Sequence, residues 1–212
     1  MPTPLKDQNR LGLYTAVVAN LALYIGTARS GALFGGDWAA LAESLPAMLP
    51  AGLGLVLVGI LSAQIDGTAK ARLVFRRWRN PLPASDAFSR LGPADARVDM
   101  GALTRDHGPL PTDAAGQNAL WFRLYRSIED QPAVSHAHRE YLFARDYHFL
   151  SALILIGLGV MALFTFDRFT TALAYVGIHT VQFLITGQAA RNHGRRLVCT
   201  VLARKAAEEP RS

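Results

Sequence analysis

Four stretches of this chain, 11–28, 46–65, 149–166 and 169–187, contain no Asp, Glu, Lys or Arg. Each has the ~18–20 apolar residues that a helix needs to cross a ~30 Å hydrocarbon layer. One buried helix of a soluble protein could mimic such a run, but four in 212 residues point to a bilayer. The expected fold is an all-α integral membrane protein with four transmembrane helices arranged as two hairpins. A mostly helical cytoplasmic insertion would lie between spans two and three. The first run exceeds the ~7–15 apolar residues of a signal peptide, so it reads as a retained span.

The balance of charge sets the expected orientation. Lys and Arg number two in residues 1–10, twelve in 66–147 and six in 188–212, against only Arg29 and Arg168 in the other connections. Basic residues mark the cytoplasmic side, so both termini and the long insertion are expected there, in a bacterial inner membrane. A net charge of +6 then reflects topology and attraction to anionic lipid as much as any affinity for nucleic acid. The single cysteine, Cys199, excludes a disulfide scaffold.

Four segments follow. Residues 1–65 form an N-terminal transmembrane hairpin, with Phe34 and Trp38 in its connection suited to an aromatic belt. Residues 66–147 form the cytoplasmic insertion: a helical stalk continuing span two to Asn80, a Pro/Gly-rich loop from Pro81 to Gly116, and an amphipathic helix over 113–130. On that helix Leu120, Trp121, Leu124 and Ile128 share one face while Arg123, Arg126 and Glu129 point elsewhere. Residues 148–187 form the second hairpin, its first helix opening at Pro132, and residues 188–212 a basic helical tail running to about Lys205. Leu197, Val198, Val201 and Leu202 make that tail's apolar stripe.

No phosphate-cradling glycine loop, paired cysteines or Ser/His/Asp signature occurs, so no enzyme activity, cofactor or metal is expected. His136 and His138 diverge by about 200° on a helix and do not readily share one ion. His136 and Glu140 share a face, but two ligands do not make a site.

The membrane interior carries the clearer signal. Thr171, Tyr175, His179, Gln182 and Thr186 recur at helical spacing and form a polar stripe on span four. Asn20, Tyr24 and Thr27 form a smaller one on span one. Antiparallel spans place Asn20 level with His179, Tyr24 with Tyr175, and Thr27 with Thr171. Such groups join helices or line a water-filled path. Small residues, among them Ala22 and Gly26, Gly52, Gly54, Gly59, Gly157 and Gly159, allow close packing.

In the insertion, Arg72, Arg76, Arg77, Arg79 and Trp78 follow span two, and Arg123 and Arg126 lie on the amphipathic helix beside Trp121 and Tyr125. Arginine with aromatics suits an anionic nucleotide or nucleic acid, and membrane lipid offers the same chemistry. The expected function is an oligomeric, ligand-controlled pore or membrane-perturbing effector, in bacterial signalling or antiphage defence, whose head senses an anionic signal. That layout resembles small bacterial antiphage effectors without a shared motif, so it implies no family. The alternatives are a non-catalytic anchor or scaffold for a cytosolic protein partner, and then a small transporter.

Overall fold

The computed structural model describes residues 9–30 and 64–208. Among these the chain is entirely helical, without a strand. The long elements are α1 (Arg10–Ser30), α2 (Gly67–Phe75), α3 (Met100–His107), α4 (Ala114–Arg126), α5 (Pro132–Thr165) and α6 (Phe169–Ala206). Three of them, α1, α5 and α6, are long and apolar enough to cross a membrane. The second apolar stretch lies almost wholly outside the described residues, as do Phe34, Trp38, Gly52, Gly54 and Gly59.

The chain divides into two compact units. The bundle comprises, among the described residues, 9–30, 64–66 and 146–187; the head comprises 67–145 and 188–208. Both α5 and α6 pass from one unit to the other without a break. Pro132 stands at the first position of α5, where the missing N–H costs nothing, and neither helix contains an internal proline.

The bundle is apolar outside and polar within. Leu11, Ile156, Phe164, Phe169 and Ile185 are exposed, Phe164 to 84%. Asn20, Thr27, His148, Ser151, His179 and Thr186 are buried. Water would penalise such exposed apolar side chains, whereas lipid favours them. Tyr24, Ala162, Phe166, Ala172 and Tyr175 form one apolar cluster, and Val17, Leu150 and Ile154 another.

The head has the reverse polarity. Leu103 of α3, Leu120, Trp121, Leu124 and Tyr125 of α4, Val134, Ala137 and Tyr141 of α5, and Leu197, Val198, Val201 and Leu202 of α6 form its core. The amphipathic helix starts at Asp113, whose carboxylate accepts from Gly116 N at 2.8 Å. Asp99 caps α3 in the same way through Ala102 N. Such side chains satisfy amide groups that have no intrahelical partner. The stripe expected on the tail is buried in full.

Two expectations are corrected here. The helix after span two is broken at Ile65 and Asp66 and ends at Phe75. An aspartate that competes for backbone bonds precedes a glycine that weakens helix, and together they interrupt it. The Pro/Gly-rich segment is a series of short helical turns, a 3-10 turn at Pro83–Asp86, a π turn at Ala87–Leu91 and a single α turn at Gly92–Ala94, followed by α3. Buried Gln117 of α4 organises these turns. Its Oε1 accepts from Phe88 N at 2.9 Å and Ser89 N at 3.1 Å, and its Nε2 donates to Thr112 O at 2.8 Å. Gln117→Ala strands those groups, and an unsatisfied buried amide costs about 1–3 kcal/mol. Its thermal unfolding midpoint in detergent is expected to fall by roughly 5 °C or more, while Arg123→Ala, on the exposed face, stays close to wild type.

Candidate functional site

The polar seam of the bundle runs along α6 and draws on α1 and α5. Thr186 Oγ1 lies 3.2 Å from His148 Nδ1 and 2.9 Å from Ser151 Oγ. Gln182 Nε2 donates to Tyr147 OH at 2.8 Å, and Gln182 Oε1 lies 2.8 Å from His179 Nδ1. A carbonyl oxygen only accepts, so Nδ1 carries the proton and Nε2 of His179 keeps its lone pair. The His179 ring meets Tyr175 edge-on at 4.4 Å. Tyr175 in turn packs on Tyr24 at 5.8 Å and Phe166 at 5.4 Å. Thr165 Oγ1 donates to Met161 O, so the short 2.6 Å bond from Tyr24 OH to Thr165 Oγ1 has the tyrosine as donor.

Among the described residues, three of these buried polar atoms have no hydrogen-bond partner: Thr27 Oγ1, Tyr175 OH and His179 Nε2. Each would cost several kcal/mol in hydrocarbon. The matched depths bring Tyr24 and Tyr175 into contact as expected. They do not join Asn20 to His179, because Asn20 Nδ2 donates to Ala16 O of its own helix at 2.6 Å and His179 is held by Gln182. A side chain that bonds the carbonyl one turn back spares a polar group without needing a second helix. Thr171 is half-buried on α6.

Sequence reasoning passed over the α5 members of the seam, Tyr147, His148, Ser151 and Thr165. Their spacing was the available signal, since 147 and 151 are one turn apart and 148 and 151 share a face. The close approach of Gly187 to His148 was also invisible. A β-carbon at Gly187 would lie 2.7 Å from His148 Cε1.

In the head, the proposed arginines separate into two groups. Arg77 and Arg90 share Asp86, the former at 3.1 Å, and Arg126 pairs with Glu129 at 2.7 Å. Arg72, Arg76, Arg79 and Arg123 are exposed and form no ion pair among the described residues. Trp78 is 85% exposed. Trp121 and Tyr125 are unavailable for stacking on a ligand, because they stack on each other at 5.5 Å in the core and Trp121 Nε1 donates to Val198 O.

No family model, curated protein or solved structure matches this chain.

The two neighbouring histidines of α5 have different partners. His136 Nε2 lies 3.0 Å from Glu140 Oε1, and the other Glu140 oxygen lies 3.5 Å from both His193 Nδ1 and Arg196 Nη1. His138 Nδ1 instead lies 2.8 Å from Tyr125 OH. Burial, then the Arg145 charge, holds His138 below the ordinary imidazole range, and burial lifts the Tyr125 phenol to about 12. Both groups are therefore neutral in this contact. Burial likewise raises the Cys199 thiol to about 11, leaving it unreactive.

The lowered His138 value means that the unfolded chain takes up this proton first. Its contribution to stability is full above about pH 6.5 and declines as pH falls below that. Chemical unfolding midpoints measured between pH 7.5 and 5 are expected to show this decline, and His138→Gln is expected to flatten it.

Proposed function

We propose that the chain is a multi-pass bacterial inner-membrane protein acting as an oligomeric, ligand-controlled pore or membrane-perturbing effector. In this reading the head faces the cytoplasm and receives an anionic signal, and the polar seam provides the path across the bundle. The observation that carries it is a set of polar atoms, Thr27 Oγ1, Tyr175 OH and His179 Nε2, that have no partner among the described residues, within a unit whose described outer surface is apolar. Polar groups that only join helices contribute about 0.6–2 kcal/mol through bonds to one another, and these three atoms make none among the described residues. A passing water or ion would satisfy them.

The excess of Lys and Arg in 66–147 and 188–212 supports the cytoplasmic placement. The exposed arginines without carboxylate partners among the described residues support an anionic signal. A second reading, a membrane scaffold that recruits a cytosolic protein, is favoured by the burial of the seam among helices of a single chain. It requires no conduction at all.

Liposome flux separates the two. The protein reconstituted in dye-loaded vesicles is expected to release ions, and His179→Leu or Gln182→Leu to reduce that leak at least tenfold. Leak at the background level from wild type, with monomeric particles in detergent, would favour the scaffold. An unchanged leak from both variants would exclude the seam as the path.

A further inference from the structure

In the turn after α2, Arg77 is answered by Asp86, whereas Arg76 has no counter-ion among the described residues. The Phe75 ring at the end of α2 packs against Gly194 of α6, where a β-carbon would lie 2.8 Å from Phe75 Cζ and 3.1 Å from Tyr141 Cε2. A β-carbon there would force the Phe75 ring to shift. On α6, Arg191 stands three residues before Gly194, and Arg195 directly follows it. Arg76 continues from Phe75 with φ 52°, and Asn80 closes the same turn with φ 49°. A non-glycine residue in this left-handed region costs about 1 kcal/mol or more, and one turn contains two.

Arg191 is held in place by two bonds, Nη1 to Val74 O at 3.0 Å and Nη2 to Gln188 Oε1 at 3.0 Å. Three of its five N–H groups remain. The Nε of Arg195 is buried without an acceptor among the described residues. Neither Arg76 nor Arg195 forms an ion pair among the described residues, and Glu140 is engaged by His136, His193 and Arg196. Burial and the like charges of Arg76 and Arg195 push Arg191 below the ordinary guanidinium range. One cation at the C-terminal end of α2 is explained by the helix dipole. The other two, with a buried donor among them, are not.

We propose that Arg76, Arg191 and Arg195 form a phosphate-binding site, filled by the phosphate of an anionic lipid headgroup or of a soluble phosphate compound. This deepens, and rests on, the reading of the head as an anion receiver. Guanidinium groups match phosphate oxygens with paired, charge-assisted bonds. The ligand would supply the acceptor that Arg195 Nε lacks and relieve the repulsion around Arg191. Arg77 and Arg126, already neutralised by Asp86 and Glu129, lie outside the site.

The test uses the full chain in phosphatidylcholine nanodiscs, titrated with pyrophosphate by calorimetry. In parallel, discs containing phosphatidylglycerol are examined by native mass spectrometry for retained anionic lipid. Wild type is expected to bind one of the two probes. Arg76→Ala and Arg195→Gln are each expected to weaken that binding about tenfold or more, Arg195→Lys to recover part of it, and Arg123→Ala to change it less than twofold. Arg76 is exposed, so its truncation leaves the fold intact, with the thermal midpoint as control. A loss confined to pyrophosphate identifies a soluble ligand, and a loss confined to phosphatidylglycerol a lipid. Binding unchanged in both variants but lost in Arg123→Ala would overturn this site and keep the anion-receiving head. No binding of either probe by wild type would overturn both.

Discussion

Solvation of the bundle's surface is the constraint on which the rest depends. Leu11, Ile156, Phe164 and Ile185 face outward, while Asn20, His148, Ser151 and His179 face inward. In water this is the wrong way round; in hydrocarbon it is the lower-energy arrangement. The same solvent requires every backbone polar group to be paired within its own segment, which accounts for uninterrupted helices. It also makes each inward polar side chain costly unless another group answers it. The seam meets that demand through Tyr147, Gln182 and His179 and through His148, Ser151 and Thr186. Among the described residues it leaves three atoms unanswered.

The head solves the opposite problem with ordinary soluble chemistry. Aspartates cap α3 and α4, an apolar stripe on each of α4, α5 and α6 closes a common core, and one buried glutamine holds the loop turns. Its surface ion pairs, such as Arg126 with Glu129, contribute little to stability, on the order of 0–1 kcal/mol. Their effect is to decide which arginines are free. Ten acidic residues against twelve basic ones in 66–147 hide an uneven distribution. Asp86 takes two arginines, Arg77 and Arg90, while Arg76, beside Arg77, has no carboxylate partner among the described residues.

Long-period features were legible in the residues. The amphipathic helix, the helix running from Pro132 into the third apolar stretch and the extension of the fourth to the chain's basic tail all follow from 3.6-residue periodicity and the absence of proline. Short-period features were not. The break at Ile65 and Asp66 and the turns from Pro83 to Ala94 depend on a few backbone angles and on one side chain, Gln117, reaching back about 28 residues. The polar stripe of α6 could be read from spacing, yet the identity of His179's partner could not, because Gln182 and Asn20 were both within plausible reach.

The residues alone determined that this chain has helices apolar enough for a bilayer and a basic, amphipathic insertion, because hydropathy and periodicity are local properties summed along the chain. Only the tertiary structure decided which polar atoms are left without partners and which arginines are left without carboxylates. Both are differences between a group and whatever the fold brings beside it. For Arg76, Arg191 and Arg195 the deciding contact is Phe75 against Gly194, a meeting of residues 119 positions apart in the sequence.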